Sequence, residues 1–165
     1  MHFPGMLYGV LRFSDHPRAL VKSVDISEAL AEPGVVRVFL AEDIPGDRYT
    51  GLIFSDWPLM IAAGEVTRYI GDVLAGVVAE DEEIARRAVA KIRVEYEVME
   101  PVSNPEEAIG EGAPEVHPGQ PNLLERCVVR RGGSFDRVLA RARHVATGSY
   151  STQRIEHAFL ESETA

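Results

Sequence analysis

The chain has 165 residues, 45% of them apolar and 26% charged, a balance that supports a buried core beneath a soluble surface. Acidic side chains number 26 against 17 basic ones, a formal charge of -9, and no basic run exceeds Arg130-Arg131, so no nucleic-acid partner is expected. The single cysteine, Cys127, excludes an intrachain disulfide framework and any four-cysteine zinc or iron–sulfur site within the chain.

Leu7 to Phe13 is mostly apolar and reads as a buried strand, broken at Ser14-Asp15-His16-Pro17 because the residue before a proline is pushed out of helical geometry. Ala19 to Val24 alternates apolar and polar side chains, the period of a strand. Asp25 then caps a short helix through Ala29 and Leu30, with Glu28 placed to reach back as in a capping box, and Pro33-Gly34 stops it. The β-branched and aromatic run Val35 to Leu40 is a further strand, and Asp43-Ile44-Pro45-Gly46-Asp47 is turn chemistry. Glu65 to Ile70 and Val73 to Ala79 flank Gly71-Asp72, which gives either a hairpin or one bulged strand.

The clearest helix starts at Asp81. Glu82 and Glu83 suit its positive end, and Ile84, Ala85, Ala88, Val89 and Ile92 form one apolar stripe, with Arg86, Arg87 and Lys91 outward. Arg93 to Val98 alternates again, Glu95 and Glu97 forming its solvated face. Between Glu100 and Asn122 five prolines and three glycines mark a linker with one helical turn at Glu106 to Ile109. Beyond it Ser134 caps a second amphipathic helix carrying Phe135, Val138, Leu139 and Ala142, and Val145 to Tyr150 reads as a strand.

This order predicts an α+β fold, a mixed sheet packed with helices. The expected organisation is a domain over 1–102, a linker over 103–122, and over 123–165 the truncated start of another domain, which holds too little to bury a core alone. Its apolar face (Phe135, Val138, Leu139, Tyr150 and Phe159) is expected to seek another surface, by self-association or fold-back. The N-terminus has neither the basic nor the apolar region of a secretion signal, and no apolar stretch approaches the ~20 residues of a membrane span, so a cytoplasmic location is expected.

The candidates for chemistry are weak. Arg130-Arg131-Gly132-Gly133-Ser134 precedes a helix and would suit an anion, but it lacks P-loop spacing and reads as a turn and cap. Gly110-Glu111-Gly112 meets Glu115 where a dinucleotide fingerprint needs glycine. His157 and Glu161, with Glu156 and Glu163 nearby, supply too few ligands for a metal. Cys127 lies near Arg126 and Arg130, yet a buried, inert thiol is the commoner state. His16 reads as an exposed loop residue, and His2, His117 and His144 sit in no constellation. No residue is assigned a catalytic, cofactor-binding or metal-binding role.

Phe3-Pro4-Gly5-Met6-Leu7-Tyr8-Gly9 with Leu11-Arg12, taken with the stretches after it, resembles the opening strand of the a/b hammerhead domain of the aldehyde oxidase and xanthine dehydrogenase family. Val24 to Leu30, Pro33-Gly34-Val35, Ala41 to Gly46, Tyr69 to Ala75, Val77 to Glu80 and Val94 to Glu97 follow in the family's order. Pro114-Glu115-Val116-His117 and Asn122 resemble its linker, and Glu156 to Glu161 the opening of its molybdopterin-binding domain. Two positions depart from the pattern. Ile155 stands where xanthine dehydrogenases place a metal-proximal glutamine, with Gln153 two residues earlier, and Asp72 follows Gly71 where glutamine is usual.

The resemblance implies the N-terminal part of a molybdenum hydroxylase that oxidises a purine or an aldehyde with oxygen from water. No cofactor is expected in this stretch itself. Molybdopterin would belong to the whole subunit, with iron–sulfur clusters and FAD on partner domains or subunits. A parent acting on carbon monoxide or an N-heterocycle is a variant of this reading. The alternative of another class is a stand-alone scaffold or protein-interaction module with a hammerhead fold.

Overall fold

A computed structural model describes residues 3–153 and residue 155. The chain divides into two units, Met1–Glu125 and Arg126–Ala165. In the first, β1 (Tyr8–Phe13), β6 (Val73–Ala79) and β3 (Val35–Phe39) form a three-stranded sheet with β6 at its centre. A second sheet pairs β2 (Ala19–Asp25) with β7 (Arg93–Val98). The α+β class is as expected. Where the sequence suggests a mixed sheet, every pairing among the described residues is antiparallel.

The central strand explains itself. Its sequence VLAGVVA carries almost no polar group, as a strand covered on both faces requires. One face carries Ala75 and Val77, which pack with Val38 of β3, with Ala29 and Ala88 from the helical layer, and with Ile92 just before β7. On the other, Leu74 packs with Ile61 and Val21. Leu74, Val21 and Val77 are fully buried, each worth about 1.5–3 kcal/mol relative to exposure. β1 is an edge strand rather than a buried one: alternate residues, Leu11 and Phe13 among them, remain about half exposed.

Helix α2 (Glu82–Ala90) covers the sheet as its stripe predicts, burying Ala85 and Ala88, and Asp81 accepts from the Glu83 N–H at 2.8 Å. Helix α1 (Ser27–Leu30) differs from expectation at its start. Asp25 accepts from Ser27 N, but Glu28 does not reach back; its carboxylate pairs instead with Arg93 of β7 at 2.5 Å. The full charge of a guanidinium on β7 outcompetes a local backbone donor. Glu32, just after α1, takes both Lys91 and Arg87, and the lysine ammonium chiefly holds its carboxyl below the usual carboxylate range.

Glu65 to Ile70 forms neither half of a hairpin nor a bulged strand. Only Val66 bridges to Leu20, while Glu65 O and Ala19 O bind backbone N–H groups across this irregular edge. The chain then turns through Tyr69–Gly71, where Asp72 explains its place. Its carboxylate is buried and accepts from Arg68 N at 2.5 Å and Tyr69 N at 3.2 Å, closing the turn that feeds β6. A longer side chain at this position would overshoot two donors so near in sequence.

In the second unit the described secondary structure is α4 (Phe135–Arg141). Ser134 precedes it with no side-chain capping bond, contrary to expectation, and Val145 to Tyr150 is not a strand. A strand needs a ladder partner, and among the described residues none lies along this one. Phe135, Val138, Leu139 and Tyr150 are exposed, and Cys127 is exposed rather than buried.

Candidate docking surface

The stretch between Gly46 and Glu65 carries no periodic pattern, and the structure builds a surface feature there. Two-residue strands β4 (Tyr49–Thr50) and β5 (Trp57–Pro58) pair as Tyr49↔Pro58 and Thr50↔Trp57. They present the loop Gly51 to Asp56. Gly51 makes that loop possible: a Cβ there would sit 1.8 Å from the Phe54 carbonyl oxygen, well inside contact distance.

The base of the loop is clasped. The Arg48 guanidinium meets the Glu65 carboxylate with both nitrogens, at 2.7 and 2.5 Å, and also donates to Met60 O at 2.8 Å. Glu65 further accepts from Ala62 N and the Tyr49 hydroxyl. Arg48 chiefly holds the Glu65 carboxyl below its ordinary range, with the Ala62 N–H adding to the effect. Arg68 donates to Asp56 O at 2.5 Å, and the Trp57 ring leans on Tyr69 with centroids 5.4 Å apart.

The facing wall comes from the Pro/Gly-rich stretch. Helix α3 (Pro105–Ala108) starts under an Asn104 cap, one residue earlier than the predicted helical turn. Asn122 then ties three backbone groups together. Its amide nitrogen donates to Ala108 O at 2.8 Å and Pro114 O at 2.9 Å, and its oxygen accepts from Val116 N at 2.9 Å. One carboxamide thereby does what a strand pairing does elsewhere.

Between these walls lies an open hollow of about 830 Å³ lined by Leu52, Ile53, Phe54, Trp57, Leu123 and Leu124 among others. Asp56 and His117 sit together on its wall, which the polar Thr50, Gln120 and Asn122 also line. His117 Nδ1 is buried 3.5 Å from Asp56 Oδ2 without a hydrogen bond, and its ring faces Trp57. By sequence His117 belongs to no constellation; the fold brings it to this wall. The apolar loop is likewise invisible to periodicity. Its one signal is Leu52-Ile53-Phe54 directly after glycine, an apolar run where turn residues would be expected.

The other candidates stay dispersed. Arg130 to Ser134 is an exposed turn with Gly132 at φ 90°, and Gly110 to Gly112 closes the chain after α3. His16 is half-buried against Tyr96, at a ring distance of 5.0 Å, rather than exposed. His157, Glu156, Glu161 and Glu163 lie outside the described residues, as do Phe159 and His2. Among the described residues no three His, Cys, Asp or Glu side chains converge as metal ligands would, and no helix is long and apolar enough to cross a membrane.

Antiparallel sheets under short helices, with an apolar and firmly held outer loop, define a small α+β domain. The sequence profile of the aldehyde oxidase and xanthine dehydrogenase a/b hammerhead domain matches residues 1–100, and the chain belongs to that family. It is 34% identical to a probable xanthine dehydrogenase subunit of Bacillus subtilis, over 99% of this chain and 21% of the relative. It is also 34% identical to the nicotinate dehydrogenase large molybdopterin subunit of Eubacterium barkeri, over 98% of this chain and 37% of the relative. Among solved structures, aldehyde oxidoreductase from Desulfovibrio gigas superposes with a TM-score of 0.67 at 33% identity, covering 73% of this chain and 14% of that one. The chain thus spans about a fifth of its Bacillus relative and just over a third of its Eubacterium one.

Proposed function

We propose that the chain is the N-terminal part of the large subunit of a molybdenum hydroxylase, and that its own work is structural. The reading rests on one observation: 34% identity across 98–99% of the chain to proteins named as a xanthine dehydrogenase subunit and a large molybdopterin subunit. The parent enzyme hydroxylates a purine, another N-heterocycle or an aldehyde with oxygen from water. It works in the cytoplasm with iron–sulfur and FAD partners.

The described residues do not fit the molybdenum cofactor. Among the described residues no group of His, Cys, Asp and Glu converges, and the Asp56–His117 pair stands on a mainly apolar hollow. No catalytic step is therefore assigned to any residue, and Ile155, 77% exposed, offers no donor to a metal. We place the hammerhead domain at 1–102, its linker at 103–122, and the start of the molybdopterin domain from 123. The bound cofactor would supply the oxo and redox chemistry.

The test is expression of the complete gene product with its partner subunits. Stoichiometric molybdenum, and incorporation of oxygen from isotopically labelled water into a purine, nicotinate or an aldehyde, are expected. A gene product without molybdenum or hydroxylase activity towards all three would overturn the proposal. The 165-residue chain alone should bind no molybdenum; stoichiometric uptake would contradict its structural role.

A further inference from the structure

We infer that the 104–122 segment is a strap fastened to the β4–β5 loop by a proton-operated latch, the Asp56–His117 pair. The latch is independent of whichever reaction the parent enzyme catalyses.

The segment holds itself together. Asn104 caps α3 by accepting from Glu106 N at 2.8 Å. The Glu115 carboxylate accepts from Gly119 N at 2.9 Å, and Gln120 N donates to His117 O at 3.0 Å. Asn122 binds Ala108 O, Pro114 O and Val116 N. Gly112 and Gly119, at φ 79° and 75°, make bends that a side chain would strain. All of these bonds are internal. The body's grip on the chain ends just before the segment, where Arg18 donates to Glu100 O at 3.0 Å. Among the described residues no hydrogen bond joins 104–122 to 1–100, and the polar tie across to the loop is His117 with Asp56. The same imidazole faces the Trp57 ring, with centroids 6.3 Å apart.

The pair is aligned but not bonded. His117 Nδ1 is shut off from solvent, has no hydrogen-bond partner and lies 3.5 Å from Asp56 Oδ2. A buried polar atom left unpaired is unfavourable. With its proton on Nε2, the imidazole turns a lone pair toward the carboxylate. A second proton, taken from solvent onto Nδ1, turns that opposition into a charge-assisted bond of ~2.7–2.9 Å, for which the ring moves by under about 1 Å. A neutral ring with its proton on Nδ1 instead would donate without the charge, a bond roughly half as strong. Histidine is the side chain that changes charge between about pH 5 and 8. The other charged or titratable groups around the pair are already engaged. Arg68 donates to Asp56 O at 2.5 Å, Tyr69 stacks on Trp57, and Glu115 holds Gly119 N. Arg68 keeps Asp56 in place, so the strap is the partner that moves. The latch is closed while imidazolium and carboxylate are both charged, and it opens as pH rises through the histidine range.

The experiment is hydrogen–deuterium exchange on the complete gene product at about pH 5.5 and about pH 8, on either side of the histidine range, with each amide corrected for its intrinsic rate. Peptides spanning 104–122 should exchange several-fold more slowly at the lower pH, while peptides of β6 stay unchanged. Asp56→Asn and His117→Gln should each abolish the difference, and Asp56→Glu, which keeps the charge, should retain part of it. Equal protection of the strap at both pH values in the unaltered protein overturns the inference, as does a difference that survives Asp56→Asn and His117→Gln. A second measurement uses the 165-residue chain, in which Trp57 is the sole tryptophan. An imidazolium held beside an indole quenches its fluorescence, so emission should fall as pH is lowered through the histidine range. His117→Gln should remove that step. A step that persists in His117→Gln, or its absence from the unaltered chain, refutes the latch.

Discussion

Helices α2 and α4 look alike in sequence. Each is short, amphipathic and preceded by a residue suited to capping, yet one is built into a core and the other is bare. In α2, Ala85 and Ala88 are fully buried against the sheet, Asp81 caps the first turn, and neighbouring Glu32 ties Lys91 and Arg87 to α1. In α4, Phe135 is 74% exposed, Ser134 makes no capping bond, and Arg137 and Arg141 enter no ion pair among the described residues. A periodic stripe therefore specifies a helix and a face but not what that face will meet. Most of a short helix's stability comes from tertiary packing.

That contrast can be broken at several points. The largest effect is expected from matched charge insertions. Ala88→Asp places an unpaired carboxylate in the core and should cost about 3 kcal/mol or more, whereas Ala140→Asp on α4 should stay within about 0.5 kcal/mol. Chemical denaturation of the chain followed by circular dichroism measures both, and similar costs would erase the distinction. Next comes the sheet that α2 covers. Asp72→Ala strands the Arg68 and Tyr69 N–H groups and should cost about 1–3 kcal/mol, with Asp72→Asn recovering part of it. A neutral Asp72→Ala would mean that water replaces the carboxylate.

The caps come third. Asp81→Ala should cost about 1 kcal/mol, and Ser134→Ala nothing measurable, by the same denaturation assay. The smallest effect concerns acid. The Glu32 carboxyl is held below its ordinary value of 4.5 by Lys91 first and Arg87 second, so its contribution is complete above that pH and fades as pH falls through its lower folded value. Glu32→Gln should flatten that part of the acid-stability curve. An unchanged slope would show that the α1–α2 ion pairs do not contribute.

Much of the fold is legible from local pattern. The boundaries of β2, β3, α2 and β7, the helical turn near Glu106, and the break at Ser14 to Pro17 all follow from side-chain period and proline geometry. What cannot be read depends on residues distant in sequence. Glu28 resembles half of a capping box because Arg93, its actual partner, lies on another strand. Glu65 resembles strand because its carboxylate's role, clasping Arg48, requires the β4–β5 hairpin to exist. Asp72 is an ordinary polar residue until the turn forms around it. The apolar hollow is least legible of all. Its strands are two residues long, too short for any period to show, and its second wall is held by one asparagine in a stretch whose composition reads as a linker.

The order of strands in the sheets has a consequence for how this protein is made. Tyr8 pairs with Ala79 and Ala19 with Val98, so the first two strands synthesised find their partners only after most of the domain has been translated. Contacts this far apart in sequence slow folding, because loop closure must precede the gain from pairing. While the ribosome adds residues at about 5–20 per second, β1 and β2 wait for several seconds as unpaired apolar edges. That interval is when this module is most exposed to misassociation, and it closes only once β7 emerges.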